Sequence, residues 1–222
     1  MKKIIITALL TAAMLTMSAC SSLVKIEYKD NYFVDSAHKI QYDMASVSYE
    51  PVSVGAEYAQ CGKTLLYEIP GAEPTEWLTE AYEGIGSIFF STEIALPTLA
   101  EMKPNNIQIC VTNVKTISIG SVTEQSDIDA IVDVLTNGEE VMTPPKGDSY
   151  DLKFLSEVYP FLQYSVVYIK CSDGSRYLYD RGARKTVNAG DLLEKYLPDD
   201  KTAADSIISD LESNLPEVDM AQ

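Results

Sequence analysis

The chain has 222 residues, 46% apolar and 23% charged, the balance of a folded globular body and not of a disordered one. Its 33 acids against 17 Lys and Arg give a net charge of −16. Such a surface repels nucleic acid, whose binding needs Lys and Arg against phosphate, and disfavours anionic headgroups; otherwise it speaks to solubility and marks no acidic site.

The opening stretch reads as a leader. Lys2 and Lys3 form a basic start, Ile4 to Met17 is an uncharged apolar run, and Ser18-Ala19-Cys20 follows before polar sequence resumes. A basic start, an apolar segment of about 7–15 residues and small residues before a cut describe a secretory signal peptide. A membrane span needs about 20 apolar residues, more than this run supplies. Met17-Ser18-Ala19-Cys20 resembles the lipobox of bacterial lipoproteins, with Met17 where that pattern usually has Leu. The resemblance covers residues 1–21 and no more. It implies cleavage before Cys20 and a diacylglycerol on its sulfur. Each buried methylene contributes about 0.8 kcal/mol, and two acyl chains hold stably where one binds reversibly. The expected location is the outer face of the bacterial cytoplasmic membrane, or an outer membrane if the envelope has one, with which Ser21 is compatible. Without residues 1–19, 203 residues remain, with 15 cations against 33 acids. Lipidation of Cys20 leaves Cys61, Cys110 and Cys171, enough for one disulfide and one free thiol, with no C-x-x-C spacing for redox or zinc chemistry.

Residues 20–43 lack clear periodicity, and Lys25, Glu27, Lys29 and Asp30 suggest a lipid-anchored spacer, with Tyr32-Phe33-Val34 touching the body. Strand alternation follows: Ala45, Val47 and Tyr49, then Val52, Val54, Ala56 and Tyr58, separated by Pro51. Gln60 to Lys63 reads as a turn into a third run, Leu65, Tyr67 and Ile69. Pro74 to Tyr82 reads as a short helix with Trp77, Leu78, Ala81 and Tyr82 on its apolar face, ended by Gly84. Gly86 to Phe90 is a strand and Thr98 to Met102 a helical turn.

The clearest unit is 107–138: strand positions Ile107, Ile109 and Val111, a second run at Ile117 and Ile119, then an amphipathic helix. Thr123 is the expected N-cap, Ile128, Ile131, Val132 and Leu135 the buried stripe, and Gly138 a left-handed stop. Residues 139–150 read as a loop, and Leu152 to Tyr164 leaves helix and strand open. Ser165 to Cys171 and Arg176 to Asp180 form a hairpin about Asp173-Gly174. Asp191 to Leu197 is a short helix, and Ala204, Ile207, Ile208, Leu211 and Leu215 mark another. The expected fold is α+β, a mostly antiparallel sheet of hairpins with a few short amphipathic helices packed on it. It occupies 44–215 as one domain, with room for a subdomain split near 104 and a frayed tail at 216–222.

Chemical motifs are sparse. His38 is the only histidine, so a Ser-His-Asp site would have to use it, and the usual zinc sites need more. No G-x-S-x-G, Walker or calcium-loop pattern occurs, and Gly84-Ile85-Gly86 is a lone G-x-G. Asp127 and Asp129, Glu139-Glu140 and Asp199-Asp200 read as solvated surface. Catalytic, cofactor and metal residues are therefore assigned to none, and Cys20 alone is assigned, as the lipid attachment. Tyr164, Tyr168, Tyr177 and Tyr179 flank the hairpin turn, which makes its face the first place for a binding patch. The expectation is a membrane-anchored binding or interaction protein with a protein or glycan partner. The alternatives are a carboxylate-dependent hydrolase of wall or extracellular glycan, with two acids across a cleft, and a surface inhibitory or immunity protein.

Overall fold

The computed structural model describes residues 23–80, 86–112, 116–141 and 146–197. The fold is α+β and dominated by antiparallel strands, as the alternation predicts. Two sheets organise it, and they form differently.

The first sheet carries β1 (Val24–Lys25), β2 (Glu27–Lys29), β3 (Tyr32–Asp35), β4 (Ile40–Met44), β6 (Glu57–Cys61), β7 (Thr64–Glu68), β8 (Trp77–Thr79) and β9 (Ile88–Ser91). Its order is β1-β6-β7-β8-β9-β4-β3-β2. The two end strands are separated in the chain by Ile26 alone, so one continuous segment pairs with β6 at one end and β3 at the other. The sheet therefore closes on itself as a small barrel. β1 joins β6 in parallel, Val24 opposite Ala59 and Lys25 opposite Gln60, and the Ile26 N–H donates to the Gln60 carbonyl at 3.1 Å. Ile26, Phe33, Tyr42, Ala59, Leu66, Leu78 and Phe89 fill the interior, the expected state of a barrel this narrow.

The second sheet runs β11 (Thr116–Val122), β10 (Asn106–Thr112), β12 (Asp148–Leu155), β13 (Leu162–Lys170), β14 (Arg176–Asp180), β15 (Lys185–Asn188). β5 (Tyr49–Pro51) pairs with the start of β13. Helix α1 (Leu99–Met102) is capped at both faces of Thr98: its hydroxyl accepts from the Glu101 N–H, and the Glu101 carboxylate accepts from the Thr98 N–H. Helix α2 (Gln125–Asn137) buries Ile128, Ile131 and Leu135. Lys185 Nζ donates to the Leu135 and Thr136 carbonyls, both at 2.9 Å, and satisfies the helix end with positive charge. The larger core joins these residues to Ile107, Ile109, Leu152, Phe154, Leu162, Val166 and Leu178. It also takes in Ile69, Trp77 and Ile88 from the barrel wall, so the barrel packs against the sheet.

Several expectations are corrected. Residues 24–43 are no spacer: they are four strands of the barrel, with Ile26, Phe33 and Tyr42 buried. Residues 77–79 are strand β8 and not helix. Leu78 points into the barrel while Trp77 and Thr79 point into the larger core, and a strand buried on both faces reads as a plain apolar run. Residues 81–85 of that reading lie outside the described residues. Val47, Val52 and Val54 are exposed loop residues. In β7 Leu66 is buried, one position off the expected phase. Glu124 precedes α2 in the N-cap position, with no side-chain cap, and Gly138 is extended (φ −63°), not left-handed. The open stretch 152–164 resolves as the end of β12, a turn and the start of β13, and 148–150 already belong to β12. Asp191–Leu197 contains one 3-10 turn, Glu194–Tyr196. The helix expected over 204–215 and the tail at 216–222 lie outside the described residues.

Among the described residues no helix is long and apolar enough to cross a membrane.

Candidate interaction face

β13 is the spine of the second sheet, and its pairing fixes which side chains share a face. Residues opposite each other in an antiparallel pair point the same way. Leu162, Tyr164, Val166 and Tyr168 face the larger core, so Gln163, Ser165, Val167 and Ile169 face the other side. That side forms three rows beside the β5 edge. Gln163 meets Glu50 of β5. Ser165 meets Lys153, which meets Gln108. Val167 meets Asp151 and Tyr179, with Cys110 beyond Asp151 and Thr186 beyond Tyr179. Ile169 lies between Ser149 and Tyr177.

The charges of this face are fixed to one another. Lys153 Nζ lies 3.0 Å from Glu50 Oε2, and Gln163 Nε2 donates to the same oxygen at 2.9 Å. The pair is largely covered, with side-chain exposures of 17% and 18%. Arg181 Nη2 donates to Asp151 Oδ1 at 3.1 Å, and Thr112 Oγ1 to Asp151 Oδ2 at 2.8 Å. Arg181 stays 50% exposed. The Ser165 hydroxyl is buried with no hydrogen-bond partner among the described residues. Burial pushes the Cys110 thiol up, against the opposite pull of Lys153, which favours its protonated form. On this side Cys110, Ser165, Val167, Ile169 and Thr186 are themselves buried, so the accessible part of the face is its margin, where the half-buried Tyr177 and Tyr179 and the Asp151-bound Arg181 reach solvent. It can stack on a sugar or apolar group and hydrogen-bond to a polar one.

The four hairpin tyrosines divide by face. Tyr177 and Tyr179 lie on this outer side, half-buried. Tyr168 is fully buried, and burial chiefly pushes its hydroxyl up to about 12. Tyr164 belongs to a buried lock that sequence reasoning missed. Its hydroxyl donates to Asp180 Oδ2, while Asp180 Oδ1 accepts from Ser48 Oγ at 2.6 Å and from the Gly182 and Ala183 N–H groups at 2.9 and 3.0 Å. A Cβ on Gly182 would run into the Ser46 and Ser48 hydroxyls. The lock fastens the segment leaving the barrel to the β14–β15 turn. Its only sequence signal is Asp180 two residues before Gly182, an Asx turn at a strand end.

The other candidate residues do not assemble a reactive centre. His38 Nδ1 lies 2.6 Å from Asp35 Oδ2, and Asp35 Oδ1 accepts from the Ala37 and His38 N–H groups, each at 3.0 Å. The pair closes the β3–β4 turn, and no described Ser, Thr or Cys side chain hydrogen-bonds to the ring. Asp127 pairs with Lys195 at 2.6 Å and with the Tyr196 hydroxyl, which hold its carboxyl below the usual range; Asp129 accepts from Gln125 at 2.8 Å. Glu140 bridges to Val187 at the sheet edge. Among the described residues no group of three His, Cys, Asp or Glu could hold a metal, and Cys61, Cys110 and Cys171 are free thiols. Cys20, Gly84 and the Asp199-Asp200 pair lie outside the described residues. No protein-family model matches the chain, and neither a curated protein nor a solved structure does.

Proposed function

We propose that the mature chain is a lipid-anchored extracytoplasmic binding protein, held to the membrane through Cys20, whose outer sheet face meets a protein or glycan partner. The observation that carries the binding part is the alignment of Tyr177 and Tyr179 with Arg181 beside the fixed Glu50–Lys153–Gln163 row. Tyrosine and arginine are the side chains enriched at binding hot spots, and an Arg181 already oriented by Asp151 costs less ordering on contact. The surplus of acids favours a neutral or cationic partner. The anchor rests on the leader and on Met17-Ser18-Ala19-Cys20.

Two measurements test the reading. Intact mass of membrane-extracted wild type beside Cys20→Ala should show a chain starting at Cys20 and carrying diacylglycerol, lost together with membrane association in the variant. An unmodified soluble wild type would remove the anchor. Binding to purified envelope polymer and to envelope proteins should fall at least about tenfold in Tyr177→Ala/Tyr179→Ala, a loss of about 1.4 kcal/mol or more. The double variant should keep a cooperative thermal transition. Equal binding by the two proteins would remove this face from the function.

A further inference from the structure

The barrel end beside Val54, to which Val52 and the β12–β13 turn with Val158 are tied, lies where the anchor reading puts the membrane. β1 and β6 run parallel, with Val24 opposite Ala59, so the chain enters β1 from the same end at which it enters β6. Just upstream of β6, the Gly55 N–H donates to the Glu68 carbonyl at 2.8 Å and the Glu68 N–H to the Ala56 carbonyl at 2.9 Å, which carries the β6 line past the barrel to Val54. Val52 and Val54 are exposed by 47% and 44%. The Val52 N–H donates to the Phe161 carbonyl at 3.0 Å and so ties in the 156–161 turn, where Val158 is exposed by 55%. Only residues 21–23 separate Cys20 from Val24. A chain of four residue steps reaches about 14 Å at full extension. A lipid on Cys20 would therefore keep this end of the barrel within about 14 Å of the bilayer, near enough to touch it yet free to tilt away. Tyr28, also exposed, lies beyond Ile26 in the direction away from the anchor.

We propose that Val52, Val54 and Val158 form a second, shallow membrane footprint that rests on the lipid surface and sets the orientation of the tethered body. The proposal builds on the Cys20 anchor and adds a partner surface to it. Apolar side chains held at the headgroup boundary gain by burial there, although three valines would not hold the protein without the lipid. Glu57, Glu68 and Glu157 flank the footprint, so it suits uncharged headgroups and loosens on anionic ones.

The test uses the lipidated chain in phosphatidylcholine vesicles, with Cys61 and Cys171 changed to Ser and an environment-sensitive fluorophore on Val54→Cys or on Lys63→Cys. Lys63 lies in the β6–β7 turn at the opposite barrel end. Nitroxide-bearing lipid should quench the Val54 label at least about threefold more than the Lys63 label, with a blue shift at position 54 alone. Adding Val52→Asp should abolish the difference while the protein stays on the vesicles. Vesicle-bound protein with both labels equally in water would overturn the footprint and leave the anchor standing. Protein that is neither lipidated nor vesicle-bound would overturn the anchor, and the footprint with it.

Discussion

At the residue scale, Asp180 is the side chain on which most depends. It is 8% exposed and accepts from two hydroxyls and two backbone N–H groups. Asp180→Ala would leave those donors facing one another without an acceptor, at a cost of about 3 kcal/mol. Tyr164→Phe removes one bond to a carboxylate that keeps three others, and should cost about 1.5–3 kcal/mol. Urea unfolding of the two variants checks both values. A smaller loss from Asp180→Ala than from Tyr164→Phe would contradict the carboxylate as the centre of the lock. Lys185 makes a more local contribution. Replacing it by Met removes two bonds to the end of α2 and should cost about 1 kcal/mol with the sheet intact.

At the element scale, the 3-10 turn Glu194–Tyr196 is held by charge. The Arg176 guanidinium holds the Glu194 carboxyl below its ordinary value, with Lys170 adding to the effect, and Lys195 and Tyr196 do the same for Asp127 on α2. A carboxyl depressed in the folded state contributes stability that is complete above its unfolded value and is lost as pH falls through the folded one. Acidification from neutral pH through the carboxylate range should therefore lower the urea midpoint. Glu194→Gln should flatten that slope, and a slope unchanged in the variant would remove this contact from the acid response. Elements with one wet face were legible in the sequence. Helix α2 shows its stripe of Ile128, Ile131 and Leu135 because its other side is polar. The β13–β14 hairpin shows itself through Asp173-Gly174, with Gly174 at φ +86°. Strand β8 was not legible, because it is buried between two cores and loses its alternation. The valines at 52 and 54 alternate like a strand yet stand in a loop. Their period came without the pairing that would bury it.

At the scale of the whole molecule, barrel closure decides between two accounts of residues 24–29. Local reading sees scattered charges at Lys25, Glu27, Lys29 and Asp30 and infers a spacer. The charges are there because Lys25, Glu27 and Lys29 lie on the barrel's outside, while Ile26 is buried in its interior with Val24 packed against the same cluster. Closure is a long-range event, Val24 finding Ala59 while Tyr28 finds Phe33, and no local pattern announces it. The two accounts differ in what removal of the segment does. A spacer can be cut with no effect on the fold. If the segment closes the barrel, a chain beginning at Asp30 exposes the edges of β6 and β3 and uncovers Phe33 and Ala59. Open edges with apolar neighbours invite pairing between chains. The shortened chain should lose its cooperative transition or associate, measured by thermal unfolding and light scattering. Ile26→Asp at full length should weaken the fold by about 3 kcal/mol or more, because it puts an unpaired charge in a filled interior. A shortened chain as stable and monomeric as the full one would restore the spacer and take the closed barrel away.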